Sequence, residues 1–252
     1  MNKNSLSKKD KPLQEERNQI IDIMRQTSFF QFDPLVHHKQ VIPYASYSPW
    51  EGDEKFKELY SSVKENTLVD IYRCYELWNM VQSLNRVEGD ILEVGVWRGG
   101  TGAILCKASE GTSSKVYLAD TFEGVVKATE EDTVYRGGEH SDTSEDTVRE
   151  LLTKLQANNY QILKGIFPDD FPSIKIDKLK LCHIDVDTYL SAKQVFDYAW
   201  PKLQVGGMIV FDDYGFWTCE GVTKYVNSLD LPNARKIHNL NGHGIIVKYQ
   251  ND

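Results

Sequence analysis

Leu181-Cys182-His183-Ile184-Asp185-Val186-Asp187-Thr188-Tyr189 and Ile209-Val210-Phe211-Asp212-Asp213-Tyr214 are two short apolar runs that each end in carboxylates. Side chains alternate along a strand, so Asp185 and Asp187 are expected on one face. The second run ends 212 − 185 = 27 residues later, room for one helix and one turn. That spacing predicts a βαβ crossover. Parallel strands bring their C-terminal ends to the same edge of the sheet, where open α/β folds bind ligands. Asp185, Asp187, Asp212 and Asp213 would then share one crevice. Close like charges repel and raise each other's pKa unless a cation neutralises them. Oxygen-only donors point to a hard ion, magnesium or calcium. A single strand-end aspartate more often caps a helix or opens a turn. The pairing of D-x-D with D-D at adjacent strand tips favours a site. His183 shares parity with Asp185 and Asp187, and as a lone strand histidine it reads as a satisfied core residue.

Outward from this pair, the pattern is that of a mostly parallel α/β sheet. Ile91-Leu92-Glu93-Val94-Gly95 reads as the first strand, and Val96 to Gly102 as a glycine-rich turn into a helix. Glycines there let a ligand approach the backbone, and the helix N-terminus offers N–H donors. The pattern is E-x-G-x-x-x-G-G rather than G-x-G-x-x-G, because Glu93 stands where a dinucleotide fold wants its first glycine. A strand-end Glu93 with Gly95 and Gly99 suits a zwitterionic ligand instead. Lys115 to Asp120 is the second strand, and its terminal Asp120 is placed to accept from ribose hydroxyls. Tyr160 to Gly165 is the third, with Gly165, Ile166 and Phe167 where a flat adenine ring could rest. Leu179 to Ile184 is the fourth and Met208 to Phe211 the fifth. Arg235–Asn239 and Gly244–Tyr249 close the sheet as an antiparallel pair around Asn241-Gly242.

Other segments frame this sheet. Lys55 to Arg86 is helical, with Leu68, Ile71, Tyr72, Tyr75, Trp78, Val81 and Leu84 as the face toward the sheet. Phe122 to Ser141 is a long loop, of a length usually functional or mobile. Glu15 to Arg25 forms a helix with Ile20, Ile21 and Met24 on one side. Between it and Trp50 lie aromatics among prolines, including Phe29, Phe30, Phe32, Tyr44 and Tyr47. That segment is either a lid over a pocket or a strap or subunit contact in a homo-oligomer, since aromatics dominate all such contacts.

Composition narrows the class. The 252 residues carry 29 basic and 37 acidic side chains, a balance of −8, which argues against a nucleic-acid surface. No run of 18 apolar residues exists, so no membrane span is expected. Cys74, Cys106, Cys182 and Cys219 form no C-x-x-C pair and read as reduced, buried thiols; with an opening stretch that lacks a signal-peptide core, this predicts a cytoplasmic protein.

Taken together, these residues resemble the S-adenosylmethionine-dependent methyltransferases, and more closely the macrocin O-methyltransferase (TylF) family. The likeness runs from about residue 67 to 226. It rests on Thr67-Leu68-Val69-Asp70-Ile71-Tyr72-Arg73-Cys74-Tyr75-Glu76-Leu77-Trp78, Leu92-Glu93-Val94-Gly95-Val96-Trp97-Arg98-Gly99-Gly100, Ala119-Asp120-Thr121-Phe122-Glu123-Gly124, Asp185-Val186-Asp187-Thr188-Tyr189 and Asp212-Asp213-Tyr214-Gly215. After Gly124 this chain has Val125-Val126-Lys127 where the family carries Leu-Pro. The resemblance implies a Rossmann-like sheet of seven strands with helices on both faces. It implies a methyltransferase domain over 55–252; the polar tail and aromatic lid or strap over 1–54 carry no family signal. It further implies S-adenosylmethionine held by Glu93, Gly95, Gly99, Asp120, Thr121, Gly165, Phe167 and Asp185. Mg²⁺ would sit on Asp185, Asp212 and Asp213 and chelate the acceptor diol, with Asp187, beside Asp185, as general base. The acceptor would be a small molecule, a sugar hydroxyl on an antibiotic or related compound. A catechol or caffeoyl-type acceptor, an NAD-dependent oxidoreductase and a non-catalytic nucleoside-binding module are the competing readings.

Overall fold

The computed structural model describes residues 10–26 and 47–251. The chain divides into two compact units, 1–51 and 52–252. In the first, α1 spans Asp10–Gln26, with Ile21 buried but Ile20 and Met24 exposed, so the expected apolar stripe narrows to one side chain. Most of the aromatic segment expected as a lid or strap, from Phe29 to Tyr44, lies outside the described residues.

The second unit is built on a seven-stranded sheet. Its strands are β1 (Asp90–Val94), β2 (Val116–Asp120), β3 (Tyr160–Lys164), β4 (Leu179–Ile184), β5 (Leu203–Phe211), β6 (Ala234–His238) and β7 (Gly244–Lys248). Their order is β3-β2-β1-β4-β5-β7-β6. β1 to β5 pair in parallel; β7 is antiparallel to β6, as the hairpin signal at Asn241-Gly242 predicts, and also to β5. Parallel strands are covered on both faces and so read as unbroken apolar runs; β4 is buried at every position. The strand order reverses between β1 and β4, which opens a crevice at their carboxyl ends.

Helices α2 (Glu54–Val63), α3 (Ile71–Ser83), α4 (Gly100–Ala108), α5 (Glu145–Lys154), α6 (Tyr189–Ala199) and α7 (Glu220–Ser228) cover the two faces. The α6–α7 side packs Val195, Phe196, Val222 and Tyr225 onto Cys182, Ile184, Ile209 and Phe211. The odd-numbered β4 residue His183 therefore faces the opposite side, with α3 and α4. The stretch from Lys55 to Arg86 is not one helix. Asp70 breaks it: its carboxylate accepts from the Tyr72 and Arg73 N–H groups at 2.9 and 3.1 Å and starts α3 afresh. The restart shifts the helical phase, so Leu68 and Tyr72 are exposed while Arg73, Cys74, Leu77, Trp78 and Val81 are buried. Among the described residues no helix is long and apolar enough to cross a membrane.

Candidate active site

Backbone hydrogen bonds carry the sheet's register past its last residues. Asp185 donates its N–H to Val94 O at 2.9 Å, and Asp212 donates to Ile184 O at 3.0 Å. The two acidic tips are thereby locked side by side. Gly95, at the β1 tip, packs directly against the Asp185 backbone because it has φ +90° and no side chain: a Cβ there would lie 1.6 Å from the Asp185 carbonyl oxygen. Asp187 lies beyond the strand, where alternation no longer holds, and takes a left-handed φ of 61° that turns it back toward the tips. Its N–H donates to Asp213 Oδ2 at 3.2 Å.

These tips line a cavity of about 260 Å³, on the scale of a small-molecule site. Asp185, Asp187, Asp212 and Asp213 all reach it, as do Gly95, Asp120, Thr121, Gly165 and Phe167. Glu93 and Gly99 do not. Glu93 is fully buried beneath the glycine turn, where Oε1 accepts from His183 Nδ1 at 2.9 Å and Oε2 has no partner. It sits side by side with His183 in the β1–β4 register, below the cavity wall. Gly99 is the left-handed N-cap of α4 and packs toward Val148. Asp120 reaches the cavity, but both its oxygens already serve the backbone. Oδ2 accepts from the Val96 and Trp97 N–H groups at 2.7 and 2.8 Å, and Oδ1 from Phe122 at 2.6 Å. Asp120 thus shapes the glycine turn, and only its remaining lone pairs face the cavity.

The acidic tips divide electrostatically. Asp212 is a buried carboxylate held ionised. Burial opposes its charge, but hydrogen bonds from His183 and His243 and the Arg73 guanidinium overcome that and hold it far below the usual range. Nε2 of His183 lies 3.4 Å and Nε2 of His243 3.1 Å from Asp212 Oδ1. Arg73 Nη1 pairs with Asp212 Oδ2, and its Nε donates to Asp70 Oδ2 at 3.0 Å. Each histidine is anchored behind by a second carboxylate, Glu93 for His183 and Glu76 for His243 at 2.6 Å. With a carboxylate at each nitrogen, His183 is stabilised as imidazolium: burial alone would lower its pKa, but the bonds to Asp212 and Glu93 raise it to about 9. His183 is the satisfied, fully buried core histidine expected from its strand, and it acts on the site through Asp212. Asp185 and Asp213 behave oppositely. Burial first, then the neighbouring aspartates, push both carboxyls well up. Burial also raises Asp187, opposed by its hydrogen bond with Tyr135.

One carboxylate oxygen each from Asp185, Asp212 and Asp213 lies within 4.8 Å of the others. Three oxygens this close, two of them on carboxyls whose ionisation is resisted, form a donor set that a hard divalent cation fits. The glycine turn, Asp120 and Phe167 around the adjoining cavity fit a nucleoside-bearing ligand.

The long loop after β2 is pinned rather than loose. The Val126 carbonyl accepts from the Thr188 and Ser191 hydroxyls, each at 3.1 Å. Buried Asp132 accepts from Tyr189 N–H at 2.9 Å and packs against Gly221, where a Cβ would lie 2.0 Å from Oδ1. The loop thereby brings Val125, Val126, Tyr135 and His140 to the cavity wall.

Comparison with known proteins identifies the family. The Macrocin-O-methyltransferase (TylF) family model matches residues 15–242. The chain is 30% identical over 223 residues to the mycinamicin III 3''-O-methyltransferase of Micromonospora griseorubida, covering 81% of this chain and 87% of that protein. It is 27% identical to the 8-demethyl-8-(2,3-dimethoxy-alpha-L-rhamnosyl)-tetracenomycin-C 4'-O-methyltransferase of Streptomyces olivaceus, covering 73% and 76%. The solved structure of the O-methyltransferase NovP superposes with a TM-score of 0.64 at 25% identity, over 73% of this chain and 83% of that one. The chain belongs to the macrocin O-methyltransferase (TylF) family and is an S-adenosylmethionine-dependent O-methyltransferase.

Proposed function

We propose that this enzyme methylates a hydroxyl group on the sugar portion of a natural product, with the help of a divalent cation such as Mg²⁺. The observation that carries the reading is the meeting of four carboxylates at the β4 and β5 tips on the wall of a cavity that also holds the glycine turn and Asp120. The sugar acceptor is supported by the Streptomyces olivaceus relative, whose name gives a rhamnosyl tetracenomycin as the methylated compound.

When bound, S-adenosylmethionine supplies an electrophilic methyl group and the cation supplies Lewis acidity toward the acceptor hydroxyl. Asp185, Asp212 and Asp213 would hold the cation. Arg73, His183 and His243 keep Asp212 ionised, so one ligand is charged before any metal arrives. Asp187 accepts the hydroxyl proton at its carboxylate. Gly95, Thr121, Gly165 and Phe167 line the donor side of the cavity, and Val125 and Val126 exclude water from the acceptor side. Fixing donor and acceptor in one cavity removes much of the entropy cost of a bimolecular displacement.

Methyl transfer to mycinamicin III and to the tetracenomycin rhamnoside, with and without chelator, tests the reading. Transfer that stops in chelator and returns with Mg²⁺ supports it. Asp187→Asn should lower kcat by about a hundredfold or more, the low end of general-base contributions, while S-adenosylhomocysteine still binds. Transfer indifferent to chelator refutes the metal, and full turnover in Asp187→Asn refutes the base.

A further inference from the structure

We propose that Phe216 is a specificity-determining residue that stacks on the C–H face of the acceptor sugar, with Leu68 as a second apolar contact. This rests on the reading of the acceptor as a sugar hydroxyl and deepens it by naming what holds the ring.

Methyl transfer from a sulfonium is an in-line displacement, so the acceptor must stand across the methyl group from the sulfur. The order of the strand tips sets the two sides. Gly95, Asp120, Thr121, Gly165 and Phe167, on the donor side, come from the ends of β1, β2 and β3. The acidic tips follow β4 and β5. Phe216 lies beyond them, in the turn after β5, where its N–H donates to Asp213 O at 3.3 Å. Its ring packs on the hairpin turn between β6 and β7: a Cβ on Gly242 would lie 2.5 Å from Phe216 Cε2. β7 borders β5 on the side away from β4. The carboxylates therefore stand between the donor side and Phe216, the arrangement an in-line transfer needs.

The ring is fixed but not enclosed. Arg73 Cζ lies 4.7 Å from its centroid over one face, and Gly242 backs its edge. What stays exposed, 36% of the residue, lies away from both, and Phe216 lines the cavity. A sugar ring has a face of C–H hydrogens and a rim of hydroxyls. Hydroxyls suit the carboxylate tips; the C–H face suits an aromatic ring, whose face carries negative charge density. Leu68 lines the same cavity and is 63% exposed. A single exposed leucine needs no explanation, but two apolar side chains on the wall of one ligand-sized cavity mark a contact surface. The Leu68 turn is held as well: Thr67 Oγ1 accepts from the Val69 N–H at 3.0 Å, and Asp70 caps α3 directly after it.

Replacements that keep or remove the ring test the proposal, with mycinamicin III and the tetracenomycin rhamnoside as acceptors. Phe216→Leu keeps apolar volume but loses the aromatic face. It should raise the acceptor KM about two- to tenfold, the worth of one aromatic contact, with KM for S-adenosylmethionine unchanged. Phe216→Tyr should hold the acceptor KM near the wild-type value. Leu68→Ser should raise the acceptor KM severalfold at unchanged Tm. Saturation-transfer NMR in the presence of S-adenosylhomocysteine reads the contact without turnover. Saturating aromatic protons of the wild-type protein should reach the sugar C–H protons of the bound glycoside, and Phe216→Leu should weaken that transfer. An unchanged acceptor KM in Phe216→Leu, with either glycoside turned over by the wild type, overturns the stacking role alone. An equal rise in KM for donor and acceptor, or a rise that Phe216→Tyr shares, assigns Phe216 to packing and overturns it too. Failure of the wild-type protein to bind or methylate either glycoside removes the sugar acceptor and the stacking role together.

Discussion

Arg73→Met should unbalance the site more than any other single change to its buried shell. The guanidinium is nearly buried, pairs with Asp212, donates through Nη1 to the Asp212 carbonyl at 3.2 Å and through Nε to Asp70 at 3.0 Å, and lies 4.7 Å over the Phe216 ring. Methionine replaces most of the volume but none of the charge. Removing one partner of a buried ion pair typically costs about 3–5 kcal/mol, because the other charge is left stranded. Asp212 keeps His183 and His243, so the expected loss is at the lower end, about 3 kcal/mol. In a chain of this size that corresponds to a fall in Tm of roughly 6–12 °C. Urea unfolding at unchanged m-value would measure it. The electrostatic origin is tested by the cycle with Asp212→Asn, in which the double variant should cost about 2 kcal/mol less than the sum of the singles. A loss under about 1 kcal/mol for Arg73→Met, or strict additivity, would refute the claim that Arg73 holds Asp212 ionised.

Two further outcomes follow from the same geometry. His183 has its pKa raised from an ordinary value near 6.5 to about 9, so its contribution to stability is fully present below pH 6.5 and is lost as pH rises through 9. The stability of the wild-type protein should fall across that window, and His183→Asn should flatten that fall; an equal slope in both would assign the pH dependence to other groups. Gly95→Ala combines a left-handed φ with a Cβ that would meet the Asp185 carbonyl at 1.6 Å. It should abolish S-adenosylhomocysteine binding in calorimetry, and binding at wild-type affinity would show that the β1 and β4 tips can separate without loss.

The sequence shows the strand tips clearly because apolar runs ending in acids are local signals. The β4–α6–β5 crossover and the final hairpin are legible for the same reason. What it hides are partnerships made across the fold. His183 looks like an isolated core histidine along its own strand; its roles come from Glu93 one strand away and Asp212 at the tip of another. Arg73 and Asp212 are 139 positions apart, and no spacing rule joins them. Glu93 at a strand end resembles a ligand-binding acid, but the β1–β4 register turns it beneath the sheet edge toward His183. Asp120 is brought to the cavity as expected, yet three backbone N–H groups reach it first. The helical face from Leu68 to Leu84 fails where Asp70 interrupts the helix, because a cap resets a period that simple counting carries through.

The account turns on whether Asp185, Asp212 and Asp213 share one divalent ion. Mn²⁺, whose bound and free forms are distinguished by electron paramagnetic resonance, reports on this directly in the presence of S-adenosylhomocysteine. One ion per chain in the wild-type protein, displaced by Mg²⁺ and lost in both Asp185→Asn and Asp213→Asn, is the expected result. Binding that persists in both variants, or no binding to the wild-type protein, would contradict the account at its centre.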